Sequence, residues 1–527
     1  MKKSRLLVLF LALMMVFTLV GCSSSPSSDS GNETPAEEPS AEISEAINVA
    51  LTTSPVGMHP LKTNDAPSTY VNGQMFETLY RRTVDGTSYV PLLAAELPAF
   101  EGNSATIKLR EGVTFHDGTP FTAEAVAYMI DCLKNPDYGS QRPSIVESIE
   151  SYEIVDDHTI KLNLAYEDGV LVAKLAHTNG CIVNPALDQS QDLLVDPTGA
   201  GTGPYKFVSS VPGSNYVLTA NENYWDGVPS VKDVNFDVVP DENTAISRLK
   251  TGEADFIPTI LADSFNEASA IDGYTAVSVP SSAVMYLAMR ANEDVCLNPI
   301  MANADFRKAV LEALDLPTYV DAMMGVHASY IKSIVGPTLV GYTSAMDEYC
   351  YSYNIEDAKS IIDSNGWAGQ EITMLIPTRG NQQNLAAYMF DQLSQIGIKL
   401  NIIEEEWGTF LDSAKKDKSF DITVLTWSNV TGDGQQMLEP NFSSKNGVRL
   451  KWNNAEFDAA VDASAKTSVL ADREAAMLEA VKLIQGGAIV APVFSDNTRF
   501  VYNSTKLSGV ELDKGGQFYI NDFVINN

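Results

Sequence analysis

The residue types able to move protons, bind metal or attack a carbonyl lie along this 527-residue chain in spacings that match no catalytic pattern. The five histidines, His59, His116, His158, His177 and His327, form neither HExxH nor an i, i+4 pair, so no helix face presents two imidazoles to zinc. No GxSxG elbow and no phosphate loop occurs. The run Gly199-Ala200-Gly201-Thr202-Gly203-Pro204 is spaced GxGxG with a proline behind it. It reads as a tight structural turn, since a dinucleotide loop is spaced GxGxxG and opens a helix. Asp433-Gly434 lacks the alternating acids and terminal Glu of a calcium loop. Glu404-Glu405-Glu406 offers carboxylates, but consecutive strand residues point to opposite faces and cannot form one acid–base dyad. Cys132, Cys181, Cys296 and Cys350 show no CxxC spacing, and both disulfides and buried free thiols remain open for them. Nothing here calls for an enzyme, a cofactor or a metal site, although triads assembled across a fold leave no linear motif.

Charge narrows the partners. Lys and Arg number 35 against 68 Asp and Glu, a net charge of −33. A body this acidic repels phosphate backbones, so no nucleic-acid partner is expected. At the N-terminus, Lys2, Lys3 and Arg5 precede an apolar run from Leu6 to Val20 that only Thr18 interrupts. The run is shorter than the ~20 residues of a spanning helix, which marks residues 1–21 as a signal segment. Leu19-Val20-Gly21-Cys22 resembles the lipobox of bacterial lipoproteins, which implies cleavage before Cys22, acylation of its thiol and a lipid anchor in the membrane. Residues 22–45 are rich in Ser, Pro and Glu, with Ile43 as the single large aliphatic from residue 23 on, and read as a disordered acidic tether. The first segment carries +3 and the tether −6, so −30 rests on residues 46–527.

The elements that must position any site mix two periods. Residues 105–110 and 159–164 alternate apolar and polar side chains, which predicts half-buried strands. Helical spacing appears at Ala123, Val126, Ala127 and Ile130 behind the N-cap candidate Thr122, and at Phe306, Val310, Ala313 and Leu314. It recurs at Leu385, Met389, Leu393 and Ile396, closed by Gly397 and followed by a strand at 398–402. A further helix is expected around Met477, Val481 and Ile484. Helix followed closely by strand predicts an α/β fold.

Four blocks in order carry a resemblance. They are Met58-His59-Pro60-Leu61 with Met75-Phe76-Glu77-Thr78-Leu79-Tyr80; Phe115-His116-Asp117-Gly118-Thr119-Pro120-Phe121 within 108–121; Gly201-Thr202-Gly203-Pro204-Tyr205 with Asn223-Tyr224-Trp225-Asp226-Gly227 and Leu249–Asp255; and Ile396-Gly397-Ile398 leading to Trp407 and Phe420–Trp427. Together they resemble the family-5 solute-binding proteins of ABC importers, the oligopeptide-, dipeptide- and nickel-binding class. The resemblance implies a type II, cluster C periplasmic-binding-protein clamp of two lobes around a cleft. The first lobe would comprise 46–88, 199–297 and 490–527, the extra domain 89–198 and the second lobe 298–489. It implies a monomer outside the cytoplasmic membrane that captures short peptides and hands them to an ABC permease. A metal chelate is the alternative ligand. A secreted, lipid-anchored hydrolase is the alternative of another class.

Carried over residue by residue, the resemblance implies that Asn64, Asp65 and Ala66 pair their backbone with an extended peptide. It implies that Trp427, Ser428 and Asn429 line the cleft from the second lobe and that Arg379 grips a ligand carboxylate. Met75 corresponds to a cleft methionine of nickel-binding members, although a Met at helical spacing is usually core. Peptide binders often place an Asp three residues after the cleft Trp to pair the peptide ammonium, and here that position is Val430. Asp433 is the nearest acid that could take its place.

Overall fold

The strand Tyr274–Met289 shows how patterning builds the centre of the fold. In the computed structural model, which describes residues 45–378, 381–429 and 431–526, its successive side chains face opposite sides of one sheet. Met285, Leu287 and Met289 enter a cluster covered by the helices Ala304–Glu312 and Asn381–Gln395. Val284, Tyr286 and Ala288 enter another, covered by Gln435–Phe442 and Leu470–Gly486. A strand buried on both faces is the pattern of a sheet sandwiched between helices.

That sheet has eleven strands among the described residues. Its path runs Lys399–Glu405, Glu371–Pro377, Ile422–Ser428, Tyr274–Met289, Val490–Asn503, Phe256–Ile257, Ala46–Leu51, Asp233–Val238, Asn215–Ala220 and Tyr205–Val211, with Ala328–Tyr330 paired to Val490–Asn503 off the path. It is mixed: Glu371–Pro377 runs parallel to its neighbours, whereas Tyr274–Met289 is antiparallel to both of its own. A second, antiparallel sheet is formed by Ala99–Phe100, Ser104–Lys108, Thr159–Leu164 and Ile149–Asp156. Its Ile107, Ile160 and Leu162 share a core with Ile47, Val49 and Phe236 of the large sheet.

The spacings read from the sequence have their counterparts. Helices occupy Ala123–Lys134, Ala304–Glu312, Asn381–Gln395 and Leu470–Gly486, and the strand after Gly397 is Lys399–Glu405. Thr122 sits at the N-cap without a side-chain bond, whereas Asn303 caps its helix through the N–H groups of Asp305 and Phe306. Cys132, Cys181, Cys296 and Cys350 are free thiols. Glu406 caps the helix Trp407–Ser413, while Glu404 and Glu405 accept from Gln383 and Ser413. None of the described helices is long and apolar enough to cross a membrane. The signal segment, Cys22 and the tether up to residue 44 lie outside the described residues.

Two features position everything that follows. Between Pro280 and Val284 the ladder to Val490–Asn503 loses register. Pro280 brings no N–H to the ladder. Ser282 then donates its N–H to the Lys514 carbonyl at 2.7 Å and its hydroxyl to the Asn429 carbonyl at 2.8 Å.

The second feature is a scaffold where the quoted sequence blocks meet. Glu77 is buried and accepts from Tyr224 Oη and Thr202 Oγ1, both at 2.8 Å, and from Trp225 Nε1. The Arg110 guanidinium lies over the Trp225 ring at 4.2 Å. His116 Nε2 pairs with the Gly203 carbonyl at 2.9 Å. A Cβ on Gly201 or Gly203 would collide with the Met75 carbonyl, and Gly199 stands at φ +83°, which accounts for the glycines of the 199–204 turn.

Burial pushes the Glu77 carboxyl up to about 7, against the pull of its three donors. A carboxyl raised in the folded state stabilises the fold below its unfolded pKa, and that contribution is lost as pH rises through the folded value. The stability of wild type relative to Glu77→Gln is therefore expected to fall by about 3 kcal/mol between pH 4.5 and 7 and then level off. Urea unfolding across this range measures it. A pH-independent difference would show that Glu77 keeps its ordinary pKa.

Candidate ligand-binding site

Two cavities lie beside the register break, and a third adjoins one of them. The largest, about 370 Å³, is lined by Trp427, Ser428 and Asn429 together with Arg142, Lys174 and His177. A second, about 170 Å³, shares His177 and Thr431 with it and is lined by Asn64, Asp65 and Ala66 together with Arg82, Asp513 and Gln517. A third, about 130 Å³, shares Ala66 and Tyr70 with the second. The three form a row.

Each lining segment is held by local chemistry. Asp65 caps the helix Ala66–Met75, its Oδ1 accepting from the Ser68 N–H at 2.9 Å. Trp427 and Ser428 end the strand Ile422–Ser428, opposite Val284 and Ala283 at the end of the broken ladder. Asn429 closes the turn that follows. Its Oδ1 accepts from the Gly432 N–H at 3.0 Å and its Nδ2 donates to the Asp433 carbonyl at 2.7 Å. Lys514 is tied to Ser282, and Asp513 Oδ1 accepts from the N–H groups of Gly515 and Gln517. Gly432, at φ +75°, lets the Arg82 guanidinium lie where a side chain would stand.

Arg82 and Tyr89 reach across the row. Arg82 Nη2 donates to the Thr338 carbonyl at 2.7 Å, and Tyr89 Oη donates to the Thr431 carbonyl at 2.7 Å. Beyond the cavities, Glu167 accepts from the Ser468 N–H and hydroxyl, and the Gly169 N–H donates to Ala465.

Of the sequence-read candidates, Asn64, Asp65 and Ala66 line one cavity and Trp427, Ser428 and Asn429 the next. Two others go elsewhere. Met75 is 1% exposed in the core and lines none of the three cavities, because it ends its helix beneath the 201–203 turn. Asp433 is fully buried and committed to Arg473, whose Nη2 donates to it at 2.7 Å, so it is not a free counter-charge in the row. Arg379 and Val430 lie outside the described residues. Sequence reasoning passed over Arg82, Arg142, His177, Asp513 and Gln517. They are scattered between residues 82 and 517, in no motif, and only the fold unites them.

The lining is strongly charged. Lys174 bonds Asp168 at 2.9 Å and Glu147 at 3.2 Å. Burial, reinforced by the Arg142 charge, lowers His177 to about 4, so its imidazole is neutral near pH 7. Burial pushes the Asp513 carboxyl up, with Arg82 pulling the other way.

Residues 88–448 match the family described as bacterial extracellular solute-binding proteins, family 5. The chain belongs to that family. It is a substrate-binding component of an ABC importer, and the family acts outside the cytoplasm. The chain is similar to the oligopeptide-binding protein AppA of Bacillus subtilis, 25% identical over 480 residues covering 87% of each. It is also similar to the glutathione-binding protein GsiB of Pectobacterium atrosepticum, 25% identical over 475 residues, 88% of this chain and 90% of that one. Its fold is similar to that of HbpA2 from Haemophilus parasuis, with a TM-score of 0.83 over 92% of this chain and all of that one at 22% identity. The mixed α/β architecture is thus that of a type II periplasmic binding protein.

Proposed function

We propose that this solute-binding protein captures short peptides in the cavity row and delivers them to its permease. The observation that carries the reading is the row itself. Cavities of about 370, 170 and 130 Å³, joined through shared residues, suit an elongated ligand with polar groups along its length. AppA and GsiB, the named relatives, are described as binding an oligopeptide and glutathione.

The proposed layout has two lobes and an extra domain. Residues 46–88, 199–297 and 490–527 form one lobe, 89–198 an extra domain on it, and 298–489 the other lobe. The hinges are the chain crossings near 297 and 490, and the register break at 280–284 loosens the ladder between the two long strands ahead of those crossings. A ligand touching both lobes favours the closed state over the open one and shifts the population toward it. The protein works as a monomer, tethered to the outer face of the membrane through acylated Cys22, and catalyses nothing.

Trp427 and Arg142 in the 370 Å³ cavity would also suit a metal chelate, the second reading. A random tripeptide pool is expected to raise the melting temperature of the purified protein, since free ligand at a hundred times Kd stabilises by about 2.7 kcal/mol. Nickel–EDTA and nickel–histidine are expected to give no shift. A shift with chelates alone would exchange the two readings. Separately, Cys22→Ser is expected to move the protein from the membrane to the soluble fraction, and retention in the membrane would refute the lipid anchor.

A further inference from the structure

The proposed extra domain touches the proposed second lobe at a place that lines no cavity of the row. We propose that the turn 167–169 and the loop 465–468 form a latch that favours the closed clamp whatever peptide the cavities hold. The latch rests on the two-lobed reading above and adds to it a set of positioning residues outside the cleft.

The contact is built for close approach. Glu167 Oε1 accepts from the Ser468 N–H and from the Ser468 hydroxyl, both at 2.7 Å. The Gly169 N–H donates to the Ala465 carbonyl at 2.7 Å. A Cβ on Gly169 would stand 1.8 Å from the Thr467 carbonyl oxygen, so a side chain there keeps the two segments apart. The Gly169 backbone lies outside the left-handed region, so this glycine answers to the facing loop and not to its own turn. Glu167, Gly169, Ala465 and Ser468 line none of the three cavities. Every bond of the latch joins protein to protein, so a change of ligand leaves it in place.

Each half of the latch is fixed to a cavity wall by a buried ion pair. Asp168, between the two latch residues of the turn, is fully buried. It accepts from Lys174 Nζ at 2.9 Å, from Ser148 Oγ at 2.5 Å and from the Val170 N–H at 3.0 Å. Lys174 lines the 370 Å³ cavity. On the facing side, Arg473 donates Nε to the Ser464 carbonyl at 2.8 Å and Nη2 to Asp433 at 2.7 Å. The Asp433 carbonyl takes the Asn429 amide, and Asn429 lines the same cavity. A buried ion pair holds its geometry, because breaking it leaves an unpaired charge. Each cavity wall therefore moves together with its half of the latch. A ligand that draws the walls together brings Glu167 to Ser468, and the latch then adds the same stabilisation for every ligand. That suits a receptor for peptides of varied side chains, since part of the closing free energy is independent of them.

The test begins without ligand. Small-angle X-ray scattering of the empty, purified protein compares wild type with Gly169→Ala, Glu167→Ala and Glu167→Gln, each checked for folding by circular dichroism. Gly169→Ala and Glu167→Ala are expected to give a larger radius of gyration than wild type. Glu167→Gln, whose amide oxygen still accepts from Ser468, is expected to keep the wild-type value. The free tripeptide pool is then expected to leave both alanine variants about tenfold faster than wild type, with the rate of capture unchanged, the scale of one charge-assisted bond lost from the closed state. An unchanged radius in both alanine variants, or release at the wild-type rate from both, overturns the latch. A larger radius in both, with no tripeptide retained even by wild type, overturns the peptide reading and leaves the latch standing.

Discussion

Everything at the site depends on a failure of strand pairing. Tyr274–Met289 and Val490–Asn503 are the long strands at the middle of the large sheet, and a perfect ladder would spend every peptide group on the partner. Pro280 removes one donor, and the register slips before Val284. The freed groups of Ser282 then bind both loops that wall the cavities, one through Asn429 and one through Lys514. Ser281 accepts from Thr338, whose own carbonyl takes the Arg82 guanidinium. Two residues of broken ladder therefore position groups from three distant segments.

The scaffold and the site divide the chemistry between them. The blocks that carry the family resemblance, around His59, Glu77, His116, Gly201 and Trp225, build a buried polar network that fixes the turn of residues 199–204 against the end of the helix Ala66–Met75. Within it the Glu77 carboxylate accepts from Thr202, Tyr224 and Trp225, and the His116 ring pairs with the Gly203 carbonyl. Along the cavities, Asp65, Arg82 and Gln517 each retain a buried polar atom without a hydrogen-bond partner.

The sequence told most about elements with a strong period and least about convergence. The helix over 381–395, its stop at Gly397 and the strand behind it were legible because one face of each repeats at a fixed spacing. The tight turn at 199–204 was legible from its proline and glycines, although the reason for Gly201 and Gly203, the Met75 carbonyl, was not. Of the site, Asn64–Ala66 and Trp427–Asn429 could be named by resemblance. Met75 and Asp433 could not be told from cavity residues, because a core methionine and an ion-paired acid look the same in sequence as a ligand contact. Asp513 and Arg142 carry no local signal, since their meaning lies in what faces them across the fold.

The central claim is that one small ligand occupies the cavity row and is held jointly by the loops on either side of the broken ladder. Hydrogen–deuterium exchange on the purified protein, with and without the free tripeptide pool, tests it most directly. Amides of residues 431–436 and 513–517 are expected to slow together on adding peptide, with the Ser282 amide slowing alongside them. Slowing in only one of the two loops, or in neither while peptide is bound, would place the ligand elsewhere and contradict the account.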